Sequence, residues 1–99
     1  MNKFTEETRI RQVDEGLAIW RKANLPRRPP QGWIKTIRMA LGMTSNALAQ
    51  RVGDVSDSAI RKLELAEAED AITLASLRRV AEALDCELQY ALIPGVVTT

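Results

Sequence analysis

Residues 43–64 read MTSNALAQRVGDVSDSAIRKLE, and the rest of the chain organises itself around this stretch. Thr44 and Ser56 each stand where a helix would begin, and a short hydroxyl side chain there accepts from an amide one turn further on. Leu48, Ala49 and Val52 form the inner side of a first helix up to Gly53. Ile60 and Leu63, with Ala59 beside them, form the inner side of a second. Gly53 supplies the positive φ of a tight turn, and Ala49 is small enough to let the second helix cross the first closely. Helical spacing then leaves Asp57, Ser58, Arg61 and Lys62 pointing outward.

Upstream, Trp33, Ile34, Ile37 and Leu41 predict a short amphipathic helix that Gly42 ends, so three short helices follow one another with almost no loop. Pro26, Pro29 and Pro30 stop any earlier helix and make residues 24–32 a linker. Arg27 and Arg28 within it read either as a basic arm touching phosphate or the minor groove, or as plain solvated charge. Before the linker, Ile10, Val13, Leu17 and Trp20 recur at helical steps and predict a helix from Thr5 to Ala23. That stripe has two readings: packing on the main core, or a seam for a second chain.

Downstream, Glu67, Glu69 and Asp70 read as an acidic connection to a helix capped by Thr73, with Leu74, Leu77, Val80, Ala81 and Leu84 inward. Cys86, Leu88, Tyr90 and Leu92 then alternate with Glu87, Gln89, Ala91 and Ile93 until Pro94, the period of one short strand. A lone strand leaves its backbone groups without partners, so its own copy in a second subunit is the expected partner. Cys86, Leu88, Tyr90 and Leu92 are the expected dimer contacts.

Composition bounds the function. The 99 residues suit one small domain, and 45% hydrophobic with 27% charged residues suits neither disorder nor a membrane protein. No apolar run approaches the roughly 20 residues of a membrane span. With no histidine and one cysteine, metal clusters, Ser-His-Asp triads and Cys-His pairs cannot be assembled within one chain. Carboxylate-only catalysis is left, but the acids scatter over polar helix faces and read as solvated surface charge, so no cofactor, metal or enzymatic activity is expected. The opening residues lack the apolar stretch of a secretion signal and Cys86 has no internal disulfide partner, which points to the cytoplasm. Net charge is +1, but unevenly spread. Residues 1–31 carry seven basic against four acidic side chains (+3), residues 32–53 three basic and no acidic (+3), and the remainder four basic against nine acidic (−5). Such segregation suits a protein that lays one side on phosphates.

The 43–64 stretch resembles the Xre/Cro-like helix-turn-helix repressors, whose third short helix, here beginning at Ser56, reads DNA. Adding WIKTIRMALGMT (33–44), ITL (72–74) and AEALDCELQYALIP (81–94), the chain resembles the family called mobile mystery protein A over residues 8–94. The fold implied is mainly α: an N-terminal helix and basic linker (1–31), a helix-turn-helix bundle (32–85), and a C-terminal β-strand and tail in the dimer interface (86–99). Carried over by position, the resemblance makes Ser58 and Lys62 base-edge readers, with Ser56, Asp57 and Ala59 at the same edge. It places Ser45 and Asn46 on phosphate, helped by the helix dipole, and makes Lys35, Arg51 and Arg61 further phosphate contacts. Lys62 suits guanine and Asp57 suits cytosine N4, although an acid at a helix start is also stabilised by the dipole alone. Arg38 and Glu64 occupy positions that pair across the first and third short helices. Asp54 is an extra residue in the turn, which alters the expected angle between its two helices.

Members of the resembled family are encoded beside a partner with a Fic domain. The resemblance therefore implies a dimeric, duplex-DNA-binding regulator that represses its own operon in an antitoxin-like role. The alternative is a module whose main work is to bind and inhibit that partner. Glu15-Gly16 is faintly similar to the end of the inhibitory motif of Fic antitoxins, but Arg11 stands where that motif has Ser or Thr. A purely structural helical domain would need Ser58, Arg61 and Lys62 to be ordinary surface.

Overall fold

The computed structural model describes residues 5–94, and among them are five helices. These are α1 (Glu6–Ala23), α2 (Trp33–Ala40), α3 (Ser45–Val52), α4 (Asp57–Ala68) and α5 (Leu74–Ala83). The chain divides into two units: Arg28–Leu88 carries α2 to α5, and α1 groups with the segment that starts at Gln89.

Three helices of the larger unit begin on hydroxyl caps. The Thr44 side chain accepts from the Ala47 amide at 3.0 Å, Ser56 from Ala59 at 3.1 Å and Thr73 from Ser76 at 3.0 Å. Each such cap is worth about 1 kcal/mol. Helix α2 has no such residue, because Gly32 precedes it. Its first amides are capped instead by a carboxylate from α4: Trp33 N–H donates to Glu67 Oε2 and Ile34 N–H to Oε1, both at 2.9 Å. The position before α2 has to be glycine. Gly32 has φ +89°, and a Cβ there would stand 2.6 Å from Glu67 Oε1.

Glu67 therefore corrects the reading of an acidic surface connection. It is only 3% exposed, α4 runs on to Ala68, and the inner face of that helix continues from Ile60 through Glu64 to Glu67. The core of the unit is Ile34 from α2, Leu48 and Ala49 from α3, Ile60 from α4, and Val80 with Leu84 from α5 and its end. Full burial of an aliphatic side chain contributes about 1.5–3 kcal/mol, so these few residues supply the main drive for packing the four helices. Helix α3 packs most extensively on α4, and α5 closes over α3.

Helix α1 begins on Thr5, whose hydroxyl accepts from the Thr8 amide, and ends at Asn24 in the left-handed conformation. Acidic Glu6 and Glu7 occupy its first turn and basic Arg21 and Lys22 its last, the arrangement the helix dipole favours. None of its residues is buried. Ile10 and Val13 are 61% and 62% exposed. Leu17 and Trp20 are half-buried.

The expected β-strand is also corrected. Residues 86–94 are neither helix nor strand, and the fold is all-α among the described residues; the end of the expected tail, 95–99, lies outside them. Alternating sequence marks alternating burial, but a strand exists only when a second one completes its ladder. The alternation itself holds only in part. Cys86 and Leu88 are half-buried, with Cys86 packed against the core, and then the phase reverses so that Ala91 is covered while Tyr90 and Leu92 are exposed. No helix among the described residues is long and apolar enough to cross a membrane.

Candidate nucleic-acid interface

Two consecutive residues of positive φ set the turn between α3 and α4. Gly53 ends α3 at φ +85°, donating its amide to Ala49 O at 3.0 Å, and Asp54 follows with φ +56°. The extra residue is thus absorbed as a second left-handed step, which Asp tolerates better than most side chains. From α5, Arg79 Nη2 donates to Gly53 O at 3.0 Å and pins this turn. Nothing in the sequence singled out Arg79, which lies on the exposed side of its own helix.

Helix α4 is held from behind. Glu64, 6% exposed, receives Arg38 Nε on Oε2 at 2.6 Å and Nη2 on Oε1 at 3.2 Å, and Arg38 Nη1 donates to Met43 O at 2.9 Å. Glu64 raises the Arg38 pKa above its ordinary value, chiefly through that hydrogen bond and against the opposing effect of burial. A bidentate pair of this kind fixes orientation as well as distance. With Glu64 tied to α2 and Glu67 capping α2, one face of α4 is immobilised by two carboxylates and Ile60. The opposite face is bare: Ser58, Arg61 and Lys62 are exposed.

A family model described as Helix-turn-helix, HTH_3, matches residues 34–90, more than half of the chain. The chain belongs to that family. No curated protein and no solved structure matches it. An Xre/Cro-type helix-turn-helix indicates DNA binding and transcriptional regulation, and such domains are typical of regulators without enzymatic activity.

The residues expected at DNA fall into three sets. The first is the head of α4. Ser45 Oγ donates to Asp57 Oδ1, Asp57 Oδ2 lies 3.3 Å from Arg61 Nη2, and the hydroxyls of Ser56 and Ser58 are 3.1 Å apart. Asp57 is therefore engaged on both oxygens, tying the start of α3 to the outer face of α4. Ala59 beside it is half-buried, while Lys62 makes no ion pair among the described residues.

The second set surrounds that head. Asn46 is exposed in the first turn of α3, and Lys35 of α2 shares the wall of one groove with Arg61 of α4, alongside Gln31 and Leu65. The third set stands elsewhere. Arg51 pairs with Asp85 at 2.9 Å. Arg28 is half-buried rather than a free arm: its guanidinium bonds Asp70, the Ala68 carbonyl and the Pro29 carbonyl, closing the C-terminal end of α4. Arg27 is exposed in the other unit.

Sequence reasoning missed Glu67 and Arg79 as residues that position the interface. For Glu67 a signal was present, since 60, 63, 64 and 67 share one helical face, and a carboxylate on the apolar phase of a helix needs a buried partner. Gly32, a cap position with no cap to offer, supplied the other half.

Proposed function

We propose that this chain is a sequence-specific transcriptional regulator that seats α4 in the major groove of duplex DNA. It acts as a homodimer on a two-fold operator and represses its own operon. One observation carries the reading. The side chains of α4 that a groove would meet, Ser58, Arg61 and Lys62, are exposed, while its other face is locked by Glu64, Glu67 and Ile60. Ser58 and Lys62 read base edges, with Ser56, Asp57 and Ala59 at the same edge. Asn46, Ser45, Lys35 and Arg61 contact phosphate, and Arg51, Arg27 and Arg28 are secondary candidates. Half-sites then lie about one helical turn, roughly 34 Å, apart. The exposed Tyr90 and Leu92 of the tail, continuing from Cys86 and Leu88, contribute to the dimer contact.

The resemblance to mobile mystery protein A supports an antitoxin-like setting, in which the regulated operon also encodes a Fic-domain protein. Gel shift with the DNA upstream of the chain's own gene tests the reading: a shift that persists against competitor DNA of unrelated sequence is expected. Binding that any duplex competes away equally would overturn sequence-specific regulation.

A further inference from the structure

We infer that the apolar stripe of α1 is a self-association seam, on which a second copy of this chain lays its own α1 antiparallel. The inference rests on the dimer proposed above; it takes the second of the two sequence readings of this stripe and gives it an orientation and a register. Three observations carry it.

The first is spacing. Ile10, Val13, Leu17 and Trp20 follow the three-four-three step of a two-helix seam. Run antiparallel, the stripe is complementary to itself, with Ile10 against the partner's Trp20 and Val13 against the partner's Leu17. The second is charge. Glu6 and Glu7 stand in the first turn, Arg21 and Lys22 in the last, so antiparallel helices bring these acids toward these bases at both ends while parallel ones bring like onto like; Arg21 also pairs with Asp14 of its own helix at 2.8 Å. The same complementarity holds locally. A groove at the C-terminal end of α1 has apolar walls from Trp20, Leu25, Ala91 and Ile93 and a polar rim of Arg21 and Asn24. The N-terminal half of a partner α1 offers an exposed Ile10 with Arg9 and Arg11 beside it and Glu6 and Glu7 one turn before it, so it is the side carrying Glu6 and Glu7 that fits the Arg21 rim. A two-fold axis repeats this contact once at each end, as a closed dimer requires.

The third observation is Gly16. Glycine within a helix weakens it relative to alanine, and here no atom stands within 4 Å of where a Cβ would be. Nothing in the described chain accounts for the missing side chain. Gly16 neighbours Val13 and Trp20 on the helix surface, where a second helix would approach.

Sedimentation equilibrium of the full chain tests the inference, with circular dichroism reporting helix content. The wild-type chain is expected to dimerise, and Val13→Glu, at a position exposed in the single chain, to weaken the dimer about tenfold or more with helix content retained. Glu6→Lys with Glu7→Lys is expected to weaken it in a salt-dependent way, and adding Arg21→Glu with Lys22→Glu to the same chain to recover most of the loss. That recovery distinguishes an antiparallel copy from any other occupant. A wild-type chain that stays monomeric at all concentrations overturns the inference together with the proposed dimer, and gel shift then decides DNA binding separately. A dimer that Leu92→Glu separates but Val13→Glu and the charge reversals leave intact overturns the inference alone.

Discussion

Arg38 and Glu64 carry opposite charges in a place where neither is well solvated, with exposures of 13% and 6%. Removing one partner of such a pair leaves the other buried without compensation, at a cost of about 3–5 kcal/mol. Glu64→Ala is therefore expected to lower the thermal midpoint strongly; a melt that does not move would mean the pair contributes nothing. Because Glu64 raises the Arg38 pKa, the stabilisation from Arg38 ionisation is complete at neutral pH and is lost only as pH rises through the strongly alkaline range. Glu67 differs, being a cap. Glu67→Ala orphans the Trp33 and Ile34 amides at about 1–3 kcal/mol for each that stays dry, and Gly32→Ala is expected to approach the same loss by driving the carboxylate out. Urea titration of both variants checks this. Residues of these two kinds were unequally legible. Thr44, Ser56 and Thr73 act three residues along the chain, so their role is readable locally. The helical phase marks Glu67 as a buried carboxylate in need of a partner, but the partners it finds are amides 33 and 34 residues away, which no local pattern identifies.

Helices were the legible elements because their hydrogen bonds are internal and their inner faces repeat along the sequence. A strand completes its bonds on something else, which is why the alternation of residues 86–93 did not become one. Two features of α4 differ in the same sense. Its outward face follows from spacing, whereas the engagement of Asp57 by Ser45 and Arg61 depends on how α3 crosses it. Lys62→Ala is expected to relax preference at one base position of each half-site by about 1–3 kcal/mol, measurable by binding to a panel of single-base variants. Asp57→Ala is expected to affect the fit of α3 on α4 more than base choice, since its oxygens are already used. At the first turn of α3, Asn46→Asp separates stability from function. An acid near a helix N-terminus is stabilising, so the thermal midpoint should hold or rise, while a negative charge set against phosphate lowers affinity for every sequence alike. Equal affinity for that variant would remove the start of α3 from the interface.

On the scale of the whole molecule, a net charge of +1 gives little general attraction to DNA, so binding must draw on local charge. Residues 32–53, which span α2 and α3, bring three basic side chains and no acid, whereas the chain from residue 54 onward carries five more acidic than basic groups. Of those three basic side chains, Arg38 is spent on Glu64 and Arg51 on Asp85, so the charge left for phosphate beside α4 is Lys35 with Arg61, and Glu69 at the C-terminal end of α4 opposes it. Counterion release makes the logarithm of affinity fall with the logarithm of salt by about 0.9 for each phosphate neutralised. Lys35→Ala, at a groove shared with Arg61, is expected to make that slope shallower by about one for each phosphate the variant leaves unneutralised, at matched and mismatched sites alike. Glu69→Lys, on the opposing flank, should raise affinity and leave base preference untouched. Fluorescence anisotropy across a salt series measures all three proteins. A wild-type slope near zero, or a Lys35→Ala slope identical to it, would place the DNA on some other surface than the one α4 shares with α2 and α3.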